Sequence, residues 1–209
     1  MLIAPEQGLA FLAAAMLITV SPGPDNLVVL SMGMSRGRLQ GVVFGLGCAL
    51  GCLSHTILAA LGVGALIAAS PTAFTALKVA GGLYLIWMGI GALRSKGGAQ
   101  VGQAALPAQS LGRLFGKGLL ANAINPKVVL FFLSFLPQFV VAGRGDASWQ
   151  TAQLGVLFTL QACVLFGALG YFSGAVGKWI NRNPRAGLWL DRGAGAIFVG
   201  LGLRLIVAR

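Results

Sequence analysis

The sequence is poor in charged residues, and above all in acidic ones. Only 9% of its 209 residues are charged, and four Asp and Glu stand against fifteen Lys and Arg. Because soluble domains carry about 25% charged residues, this chain lacks the polar surface that a water-soluble fold needs. Its mean hydropathy of +0.87 indicates an integral membrane protein.

Residues that bind metals or nucleotides are also scarce. One His, three Cys and four acidic residues cannot build a metal shell with the usual spacings. No glycine-rich phosphate loop lies between a strand and a helix. The three cysteines lie inside apolar runs, where an odd number gives no disulfide framework. The sequence therefore predicts no metal site, no cofactor and no enzymatic activity.

The net charge of +11 is compatible with nucleic-acid binding, but the basic residues are not clustered on any soluble segment. They occur singly or in small groups between apolar runs. That distribution is typical of a chain oriented in a lipid bilayer, so we expect the bilayer, and not nucleic acid, as the partner.

Six apolar segments are long enough to cross a bilayer, which requires about 20 residues of helix. They cover residues 7–34, 41–69, 72–93, 114–141, 149–176 and 187–207. The first follows Glu6 instead of a basic region, so we interpret it as a span and not as a signal peptide. The last contains Asp191, Arg192 and Arg204, which lie near its ends and can reach the interfaces.

The two halves of the chain resemble each other. At a spacing of 114 residues, Gly41-Val-Val-Phe44 matches Gly155-Val-Leu-Phe158, and Lys78-Val-Ala-Gly81 matches Arg192-Gly-Ala-Gly195. A single membrane domain, residues 1–209, thus divides into one repeat (1–94), a linker (95–112) and a second repeat (113–209). Since each repeat has three spans, the second enters the membrane upside down, which is a transporter architecture. The predicted fold is all-α, with six transmembrane helices in two inverted three-helix repeats.

The basic residues predict the orientation. Outside Lys127, ten lie on one side of the predicted spans and four on the other. The first group is Arg36, Arg38, Arg94, Lys96, Arg113, Lys117, Lys178, Arg182, Arg185 and Arg192, and the second is Lys78, Arg144, Arg204 and Arg209. The richer side faces the cytoplasm, which places both termini outside the cytoplasmic (inner) membrane of the cell.

Two of the predicted helices are broken at corresponding positions. The first break contains Ser21, Pro22, Gly23, Pro24, Asp25 and Asn26, and the second contains Asn122, Asn125, Pro126 and Lys127. Proline interrupts the helical hydrogen bonds, and such backbone is tolerated in a membrane only against protein or a water-filled cavity. Broken helices in both halves point to a substrate site; a structural kink is the alternative for either proline alone.

Charged and titratable residues lie at membrane depth. An unpaired charge there costs several kcal/mol, and we expect Asp25 and Lys127 to meet across the repeat axis. His55, beside Ser54 and Thr56, is a candidate proton carrier because an imidazole changes charge near neutral pH. The alternative is a neutral histidine bonded to a backbone carbonyl. Gln161 is a further polar candidate.

The motifs resemble those of the LysE/RhtB family of amino acid exporters. Ser21-Pro-Gly-Pro-Asp-Asn26, Asn125-Pro-Lys127 and Phe135-Leu-Pro-Gln-Phe139 carry the likeness, with Leu53-Ser-His55 and Tyr84-Leu-Ile-Trp-Met-Gly89. It covers nearly the whole chain and fades in the linker. The resemblance implies a six-helix secondary exporter of amino acids or related metabolites in a bacterial inner membrane, driven by protons in the manner of an antiporter.

In this interpretation the substrate is a zwitterion held between the broken helices. Lys127 and helix-start amides suit its carboxylate, while Asp25 and backbone carbonyls suit its ammonium group. Glycines at four-residue spacing favour close helix contacts within the chain or in a homodimer. Two alternatives are a membrane thiol/redox carrier using Cys48 and Cys163, and a metal-cation exporter of similar architecture.

Overall fold

The computed structural model describes residues 3–95, 109–141 and 143–207. Within these residues the chain forms α-helices and no strand. The helices are α1 (Pro5–Val20), α2 (Pro24–Arg36), α3 (Arg38–Ala69), α4 (Pro71–Leu93), α5 (Leu111–Ala123), α6 (Pro126–Leu130), α7 (Ala147–Tyr171), α8 (Ser173–Arg182) and α9 (Pro184–Val207). A π-helical segment (Phe131–Phe135) and a 3-10 helix (Leu136–Phe139) continue α6. Most of the predicted linker lies outside the described residues.

Local signals explain where several helices begin. Pro24, Pro71 and Pro126 each occupy the first turn of a helix, where the missing N–H has no helical partner to lose. Side chains cap other starts: Ser70 accepts a hydrogen bond from the Ala73 N–H at 3.1 Å, and Asp146 accepts one from the Trp149 N–H at 2.9 Å. These caps satisfy backbone donors that the helix leaves free.

Three helices are long and apolar enough to cross a membrane alone, namely α3, α4 and α7. Two pairs pass the same test together: α1 with α2, bent by 58°, and α5 with the segment from Pro126 to Phe139, bent by 49°. Length and composition of the described helices thus give three spans, or five if each bent pair is one span. The predicted breaks in the first and fourth segments are confirmed.

The predicted sixth segment forms a helix but does not pass that test. Its helix, α9, has 24 residues, about 36 Å at 1.5 Å per residue, so length is sufficient. Asp191, Arg192 and Arg204 interrupt its apolar sequence. The predicted fifth segment, residues 149–176, is divided at Phe172 into α7 and the short helix α8, whose Trp179 and Lys178 are exposed. Six spans are therefore not confirmed.

The outward surface of the helix bundle is apolar. Leu61, Trp87, Leu160 and Val164 are all more than half exposed, although they lie in the middle of long helices. A soluble monomer rarely exposes so much apolar surface. The surface fits a lipid environment.

Glycines allow the long helices to pack backbone against backbone. A Cβ atom at Gly45 of α3 would lie 2.9 Å from the Phe166 carbonyl oxygen of α7, and Gly41 meets Gly170. A Cβ at Gly82 of α4 would lie 2.8 Å from the carbonyl oxygen of Gly202 in α9. Glycines at four-residue spacing, such as Gly41 and Gly45, thus make close helix contacts within one chain.

Helices at equivalent positions of the two sequence halves run antiparallel to each other. In the α4–α9 pair, Gly82 meets Gly202 while the later Gly89 meets the earlier Gly195. In the α3–α7 pair, Gly41 meets Gly170 while the later Thr56 faces Gly155. These two pairs are among the most extensive helix contacts of the described residues.

Candidate functional site

The first break lies between α1 and α2, at residues 21–23. Regular helical bonding stops here because Pro22 and Pro24 have no N–H, and so carbonyls near the end of α1 need other donors. Side chains supply them. The Asn26 amide donates to the Thr19 carbonyl at 2.9 Å, and the Lys127 ammonium donates to the carbonyls of Ile18 and Ser21 at 3.2 and 3.1 Å.

The second break lies between α5 and α6, and Asn122 lies just before it in the last turn of α5. The Asn122 side-chain amide donates to the Asp25 carboxylate at 2.8 Å. Its side-chain oxygen accepts a bond from the Cys52 thiol at 3.4 Å. Asn125 caps α6 by accepting from the Lys127 N–H at 3.0 Å.

Each break therefore supplies a charged side chain to the other break. Lys127 extends from the second break to the α1 carbonyls, and Asp25 extends from the first break to Asn122. Their exposed fractions are 3% and 4%. The two side chains line one cavity, but each charge is hydrogen-bonded to uncharged groups of the opposite break and not to the other charge.

Gly23 permits the lysine to reach the first break. A Cβ atom at this position would lie 2.8 Å from the Lys127 Nζ, closer than real Cβ contacts allow. The ammonium group can therefore occupy this position only because residue 23 has no side chain. The prolines have a different place: Pro24 and Pro126 are exposed and Pro22 is half-buried, so they shape the breaks more than they line the centre.

The central cavity is very small, about 10 Å³, near the minimum for one water molecule. Thr19, Cys52 and Asn122 add polar atoms to its wall, and Phe131, Phe158 and Phe166 close it. Phe158 packs against Phe131 at 5.3 Å between ring centroids. The structure is thus closed around the two charges, and any ligand larger than water requires helices or side chains to move.

His55 lies beside this cavity and is bonded to the second break. Its Nε2 is 3.0 Å from the Asn122 carbonyl oxygen, so Nε2 carries the hydrogen in this contact. The ring lies 5.7 Å from that of Phe132 and is 2% exposed. This contact fits the alternative interpretation of His55, namely a neutral histidine bonded to a backbone carbonyl.

Some residues of the site were not singled out from the sequence. Thr19 accepts from the side-chain amide of Gln161 at 2.9 Å through its hydroxyl, linking α1 to α7. Gln161 itself was predicted as a polar candidate, because it is an isolated polar residue in an apolar helix. Phe166 carries no comparable signal, because one phenylalanine in a membrane helix looks like any other.

Comparison with known proteins places these features in a family. Residues 16–209 match the LysE type translocator family. The chain is 34% identical to the threonine efflux protein of Escherichia coli K12 over 95% of its length and 98% of that protein. It is 30% identical to the homoserine/homoserine lactone efflux protein of Salmonella typhimurium, with 98% of each chain covered.

A third relative is an uncharacterized membrane protein of Pseudomonas aeruginosa, 32% identical over 95% of this chain and 94% of that protein. No solved structure matches significantly. The family match spans both helix breaks and nearly all the described helices. The chain therefore belongs to the LysE type translocator family.

Proposed function

We propose that this protein is a secondary transporter that exports small amino acids across the inner membrane. The observation that carries the proposal is the reciprocal placement of Asp25 and Lys127, which puts one negative and one positive group against a single cavity between two broken helices. The family, and relatives described as efflux proteins for threonine and for homoserine and its lactone, support it.

A free amino acid carries the complementary pair of charges. Its carboxylate can replace the carbonyl partners of Lys127, and its ammonium group can replace the Asn122 amide on Asp25. Each buried charge then keeps a partner throughout binding, which avoids the several kcal/mol that a lone buried charge costs. Ser21, Asn26 and Asn125 offer neutral hydrogen bonds nearby.

The proposed architecture is six spans in two inverted repeats. The antiparallel packing of α3 on α7 and of α4 on α9 supports it, because helices related by an axis in the membrane plane run in opposite directions. The similar bends of 58° and 49° at equivalent places support it as well. In this arrangement α9 is the sixth span, with Arg192 and Arg204 extending toward opposite interfaces.

Transport then requires the closed cavity to open alternately to the two sides of the membrane. The closed cavity of about 10 Å³ corresponds to an occluded state of the transporter. Substrate binding then shifts the population toward conformations whose cavity is large enough for the substrate. Proton coupling is part of the proposal, with His55 as the titrating group because it contacts the second break directly through Asn122.

Efflux measurements test the function. Cells loaded with a panel of amino acids and toxic analogues are compared with and without the protein, with Asp25→Asn as the inactive control. We expect amino acids with small uncharged side chains to leave the cells faster only when the wild-type chain is present. Protection against toxic metal cations without amino acid efflux would favour the metal-exporter alternative. Replacing all three cysteines by serine tests the redox alternative, because export should then stay intact unless the protein is a redox carrier.

A further inference from the structure

A second, larger cavity lies directly beside the central one. It has a volume of about 270 Å³, against about 10 Å³ for the central cavity. Its wall includes Thr19, Asn26, Phe166, Leu169, Phe172 and Val176. It lies where α2, the end of α7 and α8 meet, toward Lys178 and Arg182, which the charge distribution assigns to the cytoplasm.

The two cavities share part of their walls. Thr19 and Phe166 line both the central cavity with Asp25 and Lys127 and the outer cavity. Neighbouring space continues outward, because a third cavity of about 340 Å³ shares Asn26, Leu169 and Val176 with the outer one. Thr19 and Phe166, the candidate barrier residues, are therefore the ones that both walls share.

The two barrier residues are held in different ways. Thr19 is tied by its carbonyl to Asn26 and by its hydroxyl to Gln161. The backbone of Phe166 is fixed by the close approach of Gly45, so the movable part on this side is the phenyl ring.

An unused acceptor marks the outer side of the barrier. The side-chain oxygen of Asn26 is buried without a hydrogen-bond partner among the described residues, although the residue lines the outer cavity and is only 9% exposed. A buried amide oxygen without a partner is unfavourable, and an entering ammonium group would satisfy it.

We propose that the outer cavity is the site where substrate enters from the cytoplasm, and that Phe166 is the side chain that separates it from the charged centre. The identity of what enters rests on the proposed function. The wall carries a hydroxyl and an amide but no charged side chain, which suits amino acids with small uncharged side chains.

Native Cys52 reports on this barrier, because it lines the central cavity and is fully buried. The experiment uses the full chain with Cys48→Ser and Cys163→Ser, in inside-out and right-side-out membrane vesicles. The labelling rate of Cys52 with the small impermeant reagent 2-sulfonatoethyl methanethiosulfonate is measured. Phe166→Ala should label at least about tenfold faster than its parent in inside-out vesicles only, because thiol reactivity follows exposure.

Phe158→Ala is the matched control. Phe158 lies on the same helix and lines the central cavity, but it does not line the outer one. An equal increase in both variants would show general loosening, and no increase for Phe166→Ala would show that another group forms the barrier; either result overturns the proposal. Labelling requires no transport, so failure of the barrier proposal and failure of amino acid export are separate outcomes.

Discussion

At the scale of single residues, the site depends on side chains that replace missing backbone hydrogen bonds. Lys127 satisfies two α1 carbonyls at the first break, and Asn122 holds Asp25 at the second. The same groups that stabilise the broken backbone are those proposed to bind substrate, and so substitutions there affect stability and transport to different degrees.

Asp25 and Lys127 allow folding and transport to be separated. Asp25→Asn can still accept from Asn122 through its amide oxygen, and Lys127, although left as a lone buried charge, keeps its two carbonyl partners. We therefore expect loss of export with a smaller loss of yield than for Lys127→Met. Lys127→Met leaves the Ile18 and Ser21 carbonyls without a donor, at about 1–3 kcal/mol each, and leaves Asp25 as a lone buried charge. Its yield should therefore fall, as measured by size-exclusion chromatography in detergent.

The double variant Asp25→Asn with Lys127→Met provides the decisive comparison. It contains no lone charge, so its yield should exceed that of Lys127→Met while export stays absent. Substantial efflux by the double variant would show that the charges are only structural.

Gly23→Ala should abolish export and lower the yield of folded protein, because the Ile18 and Ser21 carbonyls lose their donor as they do in Lys127→Met. The added methyl group would lie 2.8 Å from the Lys127 Nζ, and the flexible lysine can withdraw from the break. Efflux and yield are both measured. Gly167→Ala is the control and should retain both, because it lies at a helix position with no atom within 4 Å of the new Cβ. Normal export by Gly23→Ala would show that the Lys127 ammonium group is not part of the substrate site.

His55→Gln tests the proton-coupling proposal. Glutamine can keep a donor to the Asn122 carbonyl but does not titrate, so we expect the protein to insert normally and the dependence of efflux on external pH to flatten. Efflux rates across a pH series provide the measurement. An unchanged profile would leave His55 as a packing residue.

At the scale of helices, close glycine contacts determine how the bundle packs. A Cβ at Gly202 of α9 would lie 2.6 Å from the Gly82 carbonyl oxygen, and backbone cannot move aside as a flexible side chain does. The α4–α9 pair thus depends on small residues, as membrane helix pairs often do.

Gly202→Ala should destabilise the folded protein by about 1–3 kcal/mol, the usual range for overpacking. The midpoint of thermal unfolding in detergent is the measurement. Gly200→Ala is a control two residues away on the same helix, where nothing lies within 4 Å of a new Cβ. Equal midpoints for both variants would contradict the α4–α9 contact.

At the scale of the whole molecule, the number of spans determines the sidedness of the chain. The count of ten basic residues against four predicts that the α4 end is cytoplasmic and that both termini are outside. If α9 crosses the membrane, the two ends of the chain lie on the same side, and if it does not, they lie on opposite sides. The sidedness of the two ends therefore tests the six-span proposal.

Single cysteines in a background with serine at Cys48, Cys52 and Cys163 test this topology in intact cells. With an impermeant thiol reagent, Ala4→Cys and Ala208→Cys should react, while Ser95→Cys should be labelled only after the membrane is opened. Labelling of Ala4→Cys but not of Ala208→Cys would show that α9 does not cross. Labelling of Ser95→Cys in intact cells would reverse the orientation.

The sequence by itself determined the membrane class, the positions of both breaks and the family, because apolar length and the Pro and Gly effects on backbone are local properties. It also identified Asp25, Asn122 and Lys127 as candidates, since polar groups are conspicuous in apolar segments. Only the tertiary structure decided that Lys127 binds carbonyls of α1 more than 100 residues away, and that Phe166 lines two cavities. Those facts depend on which apolar helix faces lie together, and apolar faces do not distinguish their partners in sequence.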